Sequence, residues 1–548
     1  MNRGEPGAML SAERRERWAV LLLLVAFTAA HVLLAVHFPL APDETYYWEW
    51  SRQLDWGYYD QGPLIAWLIR GSTLVFGNTE FGVRAGVIAC ATIMLWFLYL
   101  AGRESFSRRA GLFAMLCAGL TPMGTVGGFV ATYDVPLAMF WAASMYYLLR
   151  AAAAVPDRRE IEATPQHRDP GWSYWAALGI VTGLGMLSKY TMALAAPCTL
   201  LFLAARSDLR PWLRRPHPYA ALAIAIVVFL PNLAWQWNHD WLSFAHMFGL
   251  TGKGGGHGPL RRFGDFLGSQ AGLLTPFLFL GMAAAMWDFA HRKTARGTHG
   301  AWLSFCFSAP VLLLFLLLSL KTKVQANWAI CGWIGAAVAY AGWVVEPCPA
   351  SSTDAKPVGR ATAQPSPPIG RIRYAWAALA FAGVISFLAA WPELRVAIGL
   401  RIPARLDQSR KMYGGREVAA ACVKEIRAME RLGSTPVVGA ATYDNASRLA
   451  FYLPGQPHAY CFFLGTRDNE YRFLNVAAGL RPGMNALIVD HRPPDDPLLP
   501  RFDTIFERVE PVPEPVIVHV PDVYDEPVVT YYLYRCYRYR PRSGDDAN

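Results

Sequence analysis

The chain of 548 residues is 54% hydrophobic, 13% aromatic and only 17% charged, with a formal charge of +10. Soluble domains carry roughly 25% charged residues, so a water-facing fold throughout is excluded. Disordered, collagen, coiled-coil and disulfide-scaffold classes are excluded by the same composition. The positive charge alone leaves nucleic acid, an anionic membrane surface or an acidic substrate open, and its position along the chain decides among them.

A membrane-crossing helix needs roughly 20 mostly apolar residues. The first such run, 18–38, follows Arg14, Arg15 and Arg17. It reads as a retained helix rather than a signal peptide, because the acidic stretch APDETYYWEW follows it instead of a small-residue cleavage site. Further runs near 82–101, 111–130, 133–150, 172–188, 190–205, 218–236, 266–289, 301–320, 324–345 and 374–392 predict a polytopic α-helical membrane protein of about 11 transmembrane helices. With the N-terminus cytoplasmic, the inner segments hold 22 Lys and Arg against 8 in the outer loops, the bias that orients membrane proteins. The charge of +10 is thus a topology signal, and no nucleic-acid partner is expected.

Four units follow in chain order: a transmembrane unit over 1–345, a Pro/Ser/Ala-rich cytoplasmic linker over 346–373, a last transmembrane helix over 374–392, and a soluble α/β domain over 393–548 on the outer face. Strand-length apolar runs such as PVVGAA, NALIVD and PVIVHV predict the last of these. The nine cysteines offer no CxxC pair and no metal-ligand spacing. The tract Gly249–Gly258 superficially resembles a phosphate loop, but it follows no strand and is expected to be an external loop.

The first outer loop concentrates the unusual chemistry. Five carboxylates (Asp43, Glu44, Glu49, Asp55 and Asp60) lie among Tyr46, Tyr47, Trp48, Trp50, Trp56, Tyr58, Tyr59 and Trp67. An interfacial amphipathic helix with an aromatic belt would have this composition. So would a catalytic loop, in which a carboxylate takes a proton or holds a metal while aromatics line a sugar or lipid path. Asp134, in ATYDVP, is either a helix cap or an intramembrane acid in use. Lys189 either snorkels to the interface or meets a phosphate. Arg84, Arg261, Arg262, Lys321 and Lys323 are outward cations that run against the positive-inside bias, and so are candidates for an anion. His239 and His246 are candidate metal ligands beside Asp60.

These residues also form a recognisable pattern. APDETYYWEWSRQLDWGYYDQGPLIAWLIR, Phe81-Gly82-Val83-Arg84, TYDVPLAMFW, GLGMLSKYT, LPNLAWQWNHDWLSF, KVQANW and LAFYLPGQP resemble, in order and spacing, the family 39/83 GT-C lipid-linked glycosyltransferases. That family includes relatives of protein O-mannosyltransferases and of the lipid A aminoarabinose and galacturonic acid transferases. The resemblance implies a GT-C fold with its site at the extracytoplasmic membrane face. It also implies a polyprenyl-phosphate sugar donor and a lipid or glycan acceptor such as lipid A, lipopolysaccharide or another envelope glycan, among membrane lipids of the cell inner membrane. Asp43 matches the proposed base and Asp134 the second acidic position, with Glu44 beside the base. Lys189, Arg84 and Arg262 are expected at the donor phosphate. Tyr46, Tyr47, Tyr59, Gln61 and Trp328 are expected to line the substrate cavity. A divalent metal is the one cofactor left open, with Asp60 and His239 as its ligands. Gln61 and Gly62 depart from the family's Lys-Pro, which removes one expected phosphate contact. A secondary transporter or lipid flippase is the competing class, and a protein hydroxyl the competing acceptor.

Overall fold

A computed structural model describes residues 6–154, 171–252, 258–291, 298–346, 368–462, 468–496 and 500–540. Most of the expected linker 346–373, and the centre of the Gly249–Gly258 tract, lie outside the described residues.

The expected apolar runs fall largely on helix, although 111–130 leaves helix after Thr125. Among the described residues, six helices are long and apolar enough to cross a membrane: Glu13–His37, Glu80–Ser105, His217–Asn238, His299–Lys321, Ala326–Val345 and Ile369–Ala390. A seventh span arises if Pro259–Leu274 and Pro276–His291, bent by 105° at Thr275, count as one. The other four expected runs fold as Arg108–Gly119, Asp134–Ala153, Gly171–Ser188 and Ala195–Ala204, which fall short of that test in length or in apolarity. The outward faces of the spans carry exposed Leu22, Val25, Leu222, Val227, Leu313 and Phe387, as lipid-facing helices should.

Between the first two long spans the chain builds the short helix Pro42–Arg52. Proline at its first turn has no N–H to leave unpaired, and Asp43 and Glu44 sit where the helix dipole favours anions. Glu44 also reaches back 2.8 Å to accept the Ala41 N–H. Eight of the eleven residues in this helix are buried, so it is an internal element and not a belt at the interface. The loop after it closes against the end of Gly171–Ser188 at Gly62. A Cβ there would lie 2.2 Å from the Leu187 carbonyl oxygen, which explains why a glycine stands at this turn.

Beyond 393 the chain forms a mixed sheet. Its strands are β1 (Val437–Ala440), β2 (Tyr460–Cys461), β3 (Ala486–Asp490), β4 (Phe506–Pro511), β5 (Val516–Val518) and β6 (Val529–Tyr539), in the order β2-β1-β3-β6-β4 with β5 on β6. β1 is parallel to β2 and β3, whereas β6 runs antiparallel to β3 and β4. Helix Tyr443–Tyr452 leaves β1 and lies against Pro42–Arg52. The Thr45 and Ser447 hydroxyls are 2.8 Å apart, and the Tyr452 hydroxyl accepts the Leu40 N–H at 2.7 Å. The last unit is therefore fastened directly onto the acidic loop.

Candidate active site

The five carboxylates of the loop separate into two groups. Glu44 receives Arg84 Nε at 2.8 Å and Nη2 at 2.6 Å, together with the Ala131 N–H at 2.8 Å. Glu49 is bonded by Arg52 at 2.7 Å. Asp55 accepts the Trp235 indole at 2.9 Å. These three brace the loop, and Asp60 is held by Tyr46 and His246, which leaves Asp43 as the candidate base.

Asp43 is exposed as a residue, yet protein crowds its carboxyl. That crowding, reinforced by Asp60 and Asp444, pushes its carboxyl up to about 6, with Lys411 opposing. Asp444 comes from helix Tyr443–Tyr452, whose Tyr443 ring lies 4.6 Å from the Tyr46 ring.

Asp134 and Lys189 join in one buried ion pair. Lys189 Nζ lies 2.6 Å from Asp134 Oδ1 and 4.9 Å over the Tyr133 ring. Asn327 donates to the other carboxylate oxygen at 2.6 Å. Neither caps nor snorkels: both are under a tenth exposed. Asp134 and Asn327 line a cavity of about 540 Å³, walled by apolar residues such as Met94, Leu274, Met282 and Ile334, and also by Ser409 and Met412.

Two expectations need correction. Arg84 is fully buried, and its guanidinium also donates to the carbonyls of Ala35 (2.9 Å), Phe38 (2.7 Å) and Pro39 (2.9 Å). All five N–H donors are engaged, so it cannot serve a phosphate, and Glu44 is its counter-ion rather than a second catalytic acid. His239 is not beside Asp60. It stacks on Trp235 at 3.9 Å and bonds the Trp235 carbonyl at 2.8 Å; the histidine at Asp60 is His246, with Nε2 at 3.3 Å. Among the described residues no three His, Cys, Asp or Glu side chains converge as a metal would require. Asp60 and His246 supply two ligands where a catalytic zinc typically has three.

Arg262 donates to the Leu320 carbonyl at 2.7 Å, at the end of helix Ala309–Lys321. Tyr46 donates to Asp60 at 2.7 Å and accepts the Glu470 N–H at 2.8 Å. Tyr47 packs 5.5 Å from Tyr133, Tyr59 meets the His246 ring at 5.2 Å, and half-buried Trp328 faces Phe315. Gln61 is buried, with its Oε1 lacking a partner among the described residues.

Sequence reasoning missed Asn327, Lys411, Asp444 and Glu470. Asn327 was within reach, since it stands in the KVQANW stretch; the other three lie in the C-terminal unit and carry no local signal. Glu470 is buried and accepts the Tyr59 N–H at 2.7 Å. Burial and the nearby Asp60 and Asp55 hold its carboxyl well above the ordinary range.

Comparison with known proteins gives the same direction. Residues 60–235 match the family described as dolichyl-phosphate-mannose-protein mannosyltransferase. Lipid A galacturonosyltransferase RgtD of Rhizobium johnstonii is 29% identical over 58% of this chain and 64% of its own length. An undecaprenyl phosphate-alpha-4-amino-4-deoxy-L-arabinose arabinosyl transferase of Pseudomonas fluorescens is 28% identical over 33% of this chain and 32% of its own. In both, the match spans less than two thirds of the relative. ArnT from Cupriavidus metallidurans, solved bound to undecaprenyl phosphate, superposes with a TM-score of 0.59 at 17% identity, covering 94% of this chain and 97% of that one.

Proposed function

From a chain that is similar in sequence to these lipid-linked glycosyltransferases and shares the ArnT fold, we propose a membrane glycosyltransferase. It moves one sugar from a polyprenyl phosphate to an extracytoplasmic acceptor, lipid A, lipopolysaccharide or another envelope glycan. The observation that carries this reading is Asp43, a carboxyl raised to about 6 at the polar loop, on a helix whose Tyr47 ring lies 5.5 Å from the Tyr133 ring beneath Lys189, with the paired Asp134 and Asn327 lining an apolar cavity.

The chemistry is a single displacement. The acceptor oxygen attacks the anomeric carbon, its proton passes to Asp43, and the bond from that carbon to the phosphate oxygen breaks with inversion. The leaving group departs as an anion, so it needs cations and not a general acid. Lys189 is proposed on the donor side, with Asp134 and Asn327 holding its ammonium in place. Tyr46, Tyr47, Tyr59, Gln61 and Trp328 are proposed to line the sugar's path. Asp60 and His246 are the ligands that the described residues offer a divalent ion, and no step above depends on one.

The topology belongs to the same proposal. It has eleven spans in the inner membrane, with the N-terminus cytoplasmic, a cytoplasmic linker over 346–373, a last span over 374–392, and 393–548 as a periplasmic unit. The outer unit's direct bonds to the Pro42–Arg52 loop support this side assignment. A protein hydroxyl as acceptor is the second reading, favoured by the family matched over 60–235. Mass spectrometry of envelope glycolipids with and without the protein tests both. Loss of one sugar mass from a lipid supports the first, an unchanged lipid profile with a lost glycoprotein the second.

A further inference from the structure

The polar loop is rich in anions that would repel an anionic donor. Asp60 and Asp444 both act on Asp43 to raise its proton affinity, and Coulomb repulsion between neighbouring carboxylates is appreciable at the effective dielectric of a protein surface. A phosphate or carboxylate entering here needs positive charge beyond that of Lys189, which Asp134 already offsets. Three cations have partners within the protein. Arg84 is saturated by Glu44 and three carbonyls. Lys189 is paired with Asp134. Arg448 donates to Tyr413 O at 3.2 Å, to the Tyr531 hydroxyl at 2.9 Å and to Lys411 O.

That last bond fixes the backbone of Lys411. Arg448 lies one helical turn after Asp444, so residues 408–412 are tied down beside the acid that faces Asp43. Ser409 and Met412, on either side of Lys411 in sequence, line the apolar cavity. The Lys411 side chain is exposed, and among the described residues no carboxylate lies within ion-pair distance of its ammonium.

We propose that Lys411 is a substrate-binding cation, contributed by the outer unit, that holds an oxyanion of the donor beside Asp43. The oxyanion is either the lipid-linked phosphate or a carboxylate on the sugar. A compact, flexible ammonium suits a group that must be gripped and then released. This role rests on the glycosyltransferase reading for its ligand, but its test does not require turnover.

Binding of three probes to purified full-length protein decides it: undecaprenyl phosphate alone, the same lipid phosphate carrying a hexuronate, and the same carrying a neutral hexose. Lys411→Gln is expected to weaken binding at least tenfold, and Lys411→Arg to stay within about threefold of wild type. Weakening of all three probes identifies the phosphate as the oxyanion, and weakening of the hexuronate alone identifies the sugar carboxylate. Unchanged affinity for all three in Lys411→Gln overturns the proposal. Failure of the enzymatic reading would show separately, as wild-type protein that binds these lipids and transfers no sugar from them.

Discussion

Lys189 Nζ lies 2.6 Å from Asp134 Oδ1, buried where helix Asp134–Ala153 begins and helix Gly171–Ser188 ends, and these two residues are 55 positions apart in sequence. Removing either partner leaves an uncompensated buried charge, whereas removing both does not. Asp134→Asn and Lys189→Met are each expected to lower the melting temperature and to cut sugar transfer at least tenfold. The double variant should melt closer to wild type than either single variant while staying inactive. A double-mutant cycle on melting temperature and rate measures the coupling.

Asp43 is expected to separate activity from stability. Asp43→Asn removes the proposed base without removing a bond that holds the loop, so transfer should fall by about 10²–10⁴ with no loss of melting temperature. Asp55→Asn should do the reverse. It weakens the 2.9 Å bond from Trp235 and lowers stability by about 1 kcal/mol, with the rate per folded molecule retained. Rates and melting curves on the two variants would tell the roles apart.

The raised carboxyl of Asp43 fixes a pH dependence. A base must be ionised, so kcat/KM should rise with pH through about 6 and level off above it. The sign for stability is opposite. A carboxyl with a folded-state pKa above its unfolded value binds more protons when folded, so its contribution is fullest below pH 4 and is lost as pH rises through about 6. Asp43→Asn should therefore gain melting temperature over wild type at pH 8 and show no gain at pH 4. A flat kcat/KM profile between pH 5 and 8 would contradict the assignment.

Arg84 and Glu44 were expected at the phosphate and at the catalytic centre, and the geometry gives them a bracing task instead. Arg84→Met is expected to cost about 3–5 kcal/mol, the typical penalty for stranding one member of a buried pair. Adding Glu44→Gln should recover part of it. If Arg84 held the donor phosphate, Arg84→Met would instead leave melting unchanged and raise KM.

Glu470 is buried, and its surroundings push its carboxyl well above the ordinary range. Glu470→Gln, a neutral isostere, should melt like wild type at neutral pH. Glu470→Ala should lose about 1–3 kcal/mol by orphaning the Tyr59 N–H, and should loosen the outer unit from the loop. Limited proteolysis of the two variants reads that loosening directly.

The amino-acid sequence by itself determined the helical runs, the strand-length runs of the outer unit and the concentration of acids in the first loop. Each of these is a local property: apolar length, period and composition act over a few turns. It also marked Asp43, Asp134 and Lys189 for attention, because ionisable groups beside apolar runs are costly unless used. Only the tertiary structure decided which charges remain available. Glu44 meets Arg84 across 40 residues, Tyr59 meets Glu470 across 411, and Asp43 feels the charges of Asp444 and Lys411 from a distant part of the chain. A carboxylate's role depends on which partners reach it, and those partners are set by packing between segments that no local pattern relates.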